Sequence, residues 1–283
     1  MIAVIGGTGT TGRHVVEGLR ERGGDIRCIV RDETRARSVL GDGLQYATGD
    51  LADASSIEAA CAGCDTLFLV SPHSPVLGQQ QSDAIDAAIR AGVKRIVKLA
   101  GMMTNPAMAI PAQHKIAEEH LQNSDVTWTI VRPNFFMQNL LNTAPTVASA
   151  GKMMMPFPGD IPIGMIDVRD SAEICVEALT GDGYGNQLLE VTGSTVTLEE
   201  CARVLSAAIE RDIPYIRLPL DAAQKFAMDN GAPDWAAEHI GNIVKDIEAG
   251  TMSRDTGVVE EKLKRPPRDI TGFFADHADN FRN

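Results

Sequence analysis

Ile2-Ala3-Val4-Ile5-Gly6-Gly7-Thr8-Gly9-Thr10-Thr11-Gly12-Arg13 is the stretch that decides the fold. Its first four residues are apolar and read as a buried strand. Val15, Val16 and Leu19 then recur at the spacing of one helical face, until Gly23-Gly24 ends the pattern. A glycine-rich turn joins the two. A glycine motif alone is weak, but one that leaves a strand and opens a helix turns backbone amides and the positive end of the helix dipole toward one point, where a phosphate belongs. In that reading Gly6 serves the tight turn, Gly9 the close approach of backbone to a pyrophosphate, and Gly12 the packing of helix on sheet. The whole run of Gly6, Gly7, Thr8, Gly9, Thr10, Thr11 and Gly12 is read as the cradle of a dinucleotide.

Working outward, short β-rich runs alternate with helical patterns through the first half of the chain. Strands are expected at Ile26 to Val30, Leu44 to Thr48, Thr66 to Val70, Arg95 to Leu99 and Thr127 to Val131, with helices in the gaps. The longest gap-filler, from about Gln79 to Ala91, carries Ile85, Ala88 and Ile89 on its inner face. This alternation predicts an α/β fold, a Rossmann-type doubly wound parallel sheet. Beyond Pro133 the rhythm weakens, and Gly151, Pro156, Pro158, Gly159 and Pro162 punctuate short elements. A helix from Ser171 to Leu179, a strand from Gln187 to Val191 and an extended segment from Ile213 to Leu218 follow. Between the last two, Thr197 with Glu200 forms a capping box ahead of a helix through Val204 and Ala208. The expected division is a nucleotide-binding domain over 1–150 and a smaller α/β substrate lobe over 151–283, built directly onto it.

Composition narrows the partners. The 283 residues are 44% hydrophobic, enough for a large core, and 26 basic against 38 acidic residues give a formal charge of -12. That balance argues against nucleic acid as a ligand. No apolar run approaches the ~18 residues of a membrane span, and no basic leader precedes the first strand, so the expected location is the cytoplasm with no membrane contact. Five scattered cysteines do not describe a disulfide framework and are expected to be reduced. Cys61 and Cys64 lack a second ligand pair for zinc, so they are read as small apolar residues closing a helix, and no metal is expected. A small-molecule substrate is expected; the sequence leaves monomer and homodimer open.

The end of the second strand bears on the choice of phosphate. An acidic residue there takes the ribose 2′-hydroxyl of NAD, whereas an arginine pairs with the 2′-phosphate of NADP. Here the strand ends in Arg31, with Arg13 just past the last motif glycine and Arg35 nearby, which favours NADP(H) over NAD(H). Asp32, next door, is the competing hydroxyl acceptor. After the third strand, Gly49-Asp50-Leu51 stands where adenine should lie; Asp50 either accepts from the adenine amino group or caps the next helix.

Taken together, Gly6 to Arg13, the Val30-Arg31 strand end, Gly49-Asp50-Leu51 and Val131-Arg132-Pro133-Asn134-Phe135-Phe136 resemble the NmrA-like family of atypical short-chain dehydrogenases. Ile166-Asp167-Val168-Arg169-Asp170-Ser171-Ala172 and Arg265-Pro266-Pro267 before Phe273-Phe274 carry the likeness nearly to the end. Members include quinone reductases, triphenylmethane dye reductases, aryl ether reductases and redox-sensing regulators without turnover. The resemblance implies that Ser71, Pro72 and His73, with Ala100 and Gly101, line the nicotinamide ribose. It also implies that Pro133, Asn134 and Phe135 approach the carboxamide. His73 as a plain loop histidine remains the alternative.

The usual short-chain dehydrogenase works through Tyr-x-x-x-Lys. Tyr46, Tyr184 and Tyr215 are followed four residues on by Asp50, Leu188 and Pro219, so that mechanism is absent and sugar epimerisation is disfavoured. The replacement is sought on the helix near Pro111, where His114 and Glu118 lie four apart on one face. The resemblance to the quinone-reductase branch puts a His-x-x-x-Glu at this place, His114 donating a proton and Glu118 orienting it; the other reading is a solvated helix. Met102, Met103, Met108, Met137 and Met153 to Met155 suit a flat apolar substrate, with Phe136 beside them, or simply fill a core. The function expected is an NADPH-dependent reductase delivering hydride to a small apolar or conjugated acceptor, such as a quinone, dye, imine or enone. The alternative is an NADP(H)-sensing regulator.

Overall fold

A computed structural model describes residues 1–102 and 108–282. Its first half alternates strand and helix without interruption: β1 Ile2–Ile5, α1 Thr10–Glu21, β2 Ile26–Val30, α2 Glu33–Leu40, β3 Gln45–Thr48 and α3 Ala54–Cys61. There follow β4 Thr66–Leu69, α4 Leu77–Arg90, β5 Arg95–Leu99, α5 Ala109–Gln122 and β6 Thr127–Pro133. Then come α6 Ala144–Ala150, β7 Met153–Met155, β8 Ile163–Gly164, α7 Val168–Thr180, β9 Gln187–Val191, β10 Thr195–Val196, α8 Leu198–Ile209 and β11 Tyr215–Arg217, with helices onward to Arg282. The seven-stranded sheet runs β3-β2-β1-β4-β5-β6-β9, the doubly wound order in which the chain reverses direction between β1 and β4. Its central strands are largely apolar on both faces because helices cover both, as a parallel sheet requires, with Lys98 of β5 and Thr129 of β6 as buried exceptions.

The chain forms two compact units, Met1–Pro133 with Val168–Glu190, and Asn134–Asp167 with Val191–Asn283. The division therefore falls at Pro133 and not near residue 150. Moreover, α7 and β9 return to the first unit after an excursion. Gly18 of α1 explains part of that return, since a Cβ there would stand 3.1 Å from Val176 of α7. In the second unit a single apolar cluster gathers Met137, Leu140, Met153, Leu198, Leu205, Phe273 and Phe274. Thr197 and Glu200 close the expected capping box at the start of α8. All five cysteines are buried and free, and burial pushes the Cys61 thiol up to about 12. Among the described residues no helix is long and apolar enough to cross a membrane.

Candidate active site

The turn between β1 and α1 is built by glycines for two different reasons. Gly6 has φ +80, and a Cβ on it would lie 2.4 Å from the Val70 carbonyl oxygen; Gly12 is so close beneath the turn that its Cβ would fall 2.1 Å from the Gly6 oxygen. The fold itself demands glycine at both. Gly9 is another matter: with φ -78 and ψ 175 it adopts backbone angles open to any residue, and its Cβ would meet only the Gly6 oxygen, at 3.3 Å. As N-cap of α1 it supplies no side-chain hydrogen bond, so the first-turn amides are left for something else. Gly101, past the end of β5, is freer still, with nothing within 4 Å of a Cβ and no positive φ. Both stand at the carboxyl edge of the sheet, where doubly wound folds take their ligands. Missing side chains that the protein's own packing does not require fit a dinucleotide lying along that edge.

Charge along the edge is unevenly committed. Arg37 is paired with Glu33 and Asp42 and stacks on Tyr46, and Arg20 is spent on the carbonyls of Leu40 and Asp42. Arg31, exposed directly after β2, and exposed Arg13 on α1 have no ion-pair partner among the described residues. Asp32 is the N-cap of α2, its Oδ1 accepting the Arg35 amide at 3.0 Å, so its carboxylate already serves a helix end. The cap of α3 is Asp53, which accepts from the Ser55 and Ser56 amides. That corrects the alternative role read for Asp50. Asp50 is exposed, and its carboxylate accepts the Ala52 amide at 2.9 Å, with Leu51 half-buried beside it.

Farther along the edge, the loop after β4 holds half-buried Ser71, whose Oγ accepts from Gln81 Nε2 of α4 at 2.8 Å; Pro72 and His73 are exposed. The β5–β6 pairing continues past the strand ends, Ala100 donating to Val131 and Met102 to Pro133. Met103 lies outside the described residues.

Behind this loop α5 turns His114 and Glu118 inward. They are 4% and 1% exposed, while Lys115 and Glu119 pair with each other on the outer face. The solvated-helix reading therefore does not hold for these two residues. The expected pairing does not form either. Glu118 is taken by the Arg132 guanidinium from β6, which also stands 3.7 Å from Glu190. His114 Nδ1 instead lies 3.1 Å from Nζ of Lys98, a fully buried residue of β5, and its ring meets His73 edge-on at 5.3 Å. Burial pushes the Lys98 ammonium down to about 8, the nearby Glu118 carboxylate resisting and Arg132 assisting. Sequence reading missed Lys98. Its signal was present: a lysine inside Arg95-Ile96-Val97-Lys98-Leu99, a strand that should be apolar throughout.

The NmrA-like family model matches residues 1–274. This chain belongs to the NmrA-like family. It is 34% identical to an NAD(P)H azoreductase of Xenophilus azovorans over 99% of both chains. It is also 32% identical, over 99% of both, to (4-alkanoyl-5-oxo-2,5-dihydrofuran-3-yl)methyl phosphate reductase of Streptomyces griseus subsp. griseus. In fold it is similar to the NADPH-dependent quinone oxidoreductase of Escherichia coli complexed with NADPH, with a TM-score of 0.87, 23% identity and 100% of both chains covered.

In this NmrA-like protein the remaining expected residues divide by environment. Pro133 is buried at the end of β6. Within the second unit, Asn134 donates Nδ2 to the Met252 carbonyl at 2.8 Å, Phe135 packs edge-on against Phe157, and half-buried Phe136 bridges to Ile166. Met137, read as a substrate contact, is fully buried in that unit's apolar cluster, where the turn it opens directs the side chain inward. Met153 and Met155 share that cluster, so core packing accounts for both.

Proposed function

We propose that this NmrA-like protein is an NADPH-dependent oxidoreductase that passes hydride to a small conjugated acceptor of the quinone or azo-dye class. One observation supports the cofactor half of that reading: a glycine turn whose Gly9 is exposed, with Arg31, just past the end of β2, having no ion-pair partner among the described residues. The full-length relationship to an NAD(P)H azoreductase supports the reaction class. The dihydronicotinamide supplies the hydride.

The chain's own residues bind and orient. The turn of Gly6, Gly7, Thr8, Gly9, Thr10, Thr11 and Gly12 holds the pyrophosphate through its first-turn amides, the Gly9 amide itself being donated to the Gly6 carbonyl, and Arg31 with Arg13 grips the 2′-phosphate as guanidinium can and a carboxylate cannot. Asp50 and Leu51 border the adenine. Ser71, fixed by Gln81, stands with Pro72, His73, Ala100 and Gly101 along the nicotinamide ribose, and Met102 serves the acceptor. His114 supplies the proton that balances negative charge on the reduced acceptor. In this role Glu118 anchors α5 to β6 through Arg132 and does not orient the imidazole.

The test is NADPH oxidation followed optically against a panel of quinones, azo dyes, triphenylmethane dyes, imines and enones. Oxidation that depends on acceptor and favours NADPH over NADH is expected. Tight NADP(H) binding with no acceptor reduced would turn the reading to a nucleotide sensor.

A further inference from the structure

We infer that Lys98 is a positioning residue that holds His114 as its Nε2–H tautomer and returns a proton to Nδ1 each time the ring gives one up. The inference rests on the proposed role of His114 as proton donor, and deepens it.

While Lys98 carries its proton, the contact has one direction only. A lysine ammonium has three donors and no acceptor, so across 3.1 Å it can only give a hydrogen bond to the Nδ1 lone pair. The neutral ring must then carry its proton on Nε2. A doubly protonated ring would set N–H against N–H at the same distance. Lys98 has no alternative posture in solvent, being fully buried on a central strand, and its other contact, to the Leu99 carbonyl, is long at 3.5 Å. A surface lysine could do none of this, because its stem would carry the charge into water.

Its electrical surroundings suit a proton that leaves and comes back. His114 and Glu118 face Lys98 from α5, Arg132 from β6 with Glu190 behind it, and His73 faces the imidazole from the loop after β4. Arg132 already neutralises Glu118, so among the described residues no carboxylate pairs with Lys98. Burial consequently leaves the ammonium a readier donor, near 8 rather than 10.5.

The step balances. Hydride brings two electrons to the acceptor, which becomes an anion, and the Nε2 proton of His114 passes to it. As the Nε2–H bond breaks, Nδ1 takes a proton from the Lys98 ammonium, leaving a neutral amine and a neutral ring. A proton from water entering at Nε2 then drives the Nδ1 proton back to the amine, restoring both groups.

The experiment needs no variant at Lys98 for its first arm. In protein labelled with nitrogen-15 histidine, resonances of His114 are assigned by their loss in His114→Gln, with and without NADP+. At neutral pH, Nδ1 is expected to show the shift of a bare nitrogen and Nε2 that of a protonated one. A proton on Nδ1, or on both nitrogens, overturns the inference. In Lys98→Met the preference should vanish, both tautomers appearing. Turnover should fall by on the order of tenfold or more while KM for acceptor and NADPH hold. Wild-type turnover should decline as pH rises through about 8, and that decline should be absent in the variant. Wild-type turnover and pH profile in a folded Lys98→Met overturn the relay. Full activity in His114→Ala overturns the donor reading and the relay with it, while the wild-type spectrum still decides the tautomer.

Discussion

Glu118 of α5 and Arg132 of β6 form a bidentate ion pair in which the carboxylate is 1% exposed, and this pair, not a contact with His114, is what the His-x-x-x-Glu spacing produces. Removing a buried partner leaves the other charge uncompensated, so Glu118→Ala should destabilise by about 3 kcal/mol, softened by the partial exposure of Arg132. Glu118→Gln keeps hydrogen bonds and should cost less. Denaturant unfolding checks both. Turnover per folded Glu118→Gln molecule should stay within a few-fold of wild type, whereas His114→Ala should lose on the order of 100-fold. Equal losses in the two would restore Glu118 to the chemistry.

Arg31 sits exposed, with no ion-pair partner among the described residues, where the 2′-phosphate is proposed to bind. Losing a charge-assisted contact costs about 1.5 to 3 kcal/mol, so Arg31→Ala should weaken NADPH binding accordingly and leave NADH nearly untouched. Fluorescence titration of both cofactors into both proteins measures it. A matching loss for NADH would remove Arg31 from the phosphate site.

Gly9 and Gly12, three residues apart, should respond in opposite ways. A Cβ at Gly12 collides with the turn's own backbone at 2.1 Å, so Gly12→Ala should lower stability by at least about 1–3 kcal/mol. At Gly9 the Cβ meets only the Gly6 oxygen, at 3.3 Å, a tight contact that a shift of a few tenths of an ångström relieves, so Gly9→Val should keep native circular dichroism and lose less stability than Gly12→Ala while losing NADPH binding. A Gly9→Val protein that binds NADPH normally would show the cradle to be misassigned.

Lys98 should make stability rise with alkalinity. Its folded value, about 8, lies below the unfolded 10.5, so between those values the unfolded chain carries the extra proton and stability increases with pH. Below about 8 the full penalty of burying the charge is present; above 10.5 it is gone. The difference in unfolding free energy between wild type and Lys98→Met should therefore shift by about 3 kcal/mol toward wild type across that window. A difference that stays flat with pH would contradict the buried charge.

Much of the fold was legible because its signals are local. β1, β2, β5 and β9 match the expected spans, and the strand-turn-helix of Ile2 to Glu21 needs only residues in sequence contact. The site was legible less evenly. The spacing of His114 and Glu118 placed both on one face, but which neighbour each one touches depends on β5 and β6, whose side chains arrive from elsewhere in the chain. Asp53 outcompetes Asp50 for the cap of α3 by a three-residue shift that composition cannot distinguish. The division at Pro133 was invisible for the same reason: α7 and β9 rejoin the first unit through packing of α7 beside α1 and pairing of β9 with β6, and nothing near Gly151 records that return.

The most direct test of the central claim is a single turnover in which protein holding NADPH is mixed rapidly with a quinone or an azo dye and the nicotinamide absorbance is followed. That absorbance should be lost in step with acceptor reduction, more slowly when the transferred position carries deuterium, and more slowly again in His114→Ala. Bound NADPH that stays reduced in the presence of every acceptor would contradict it.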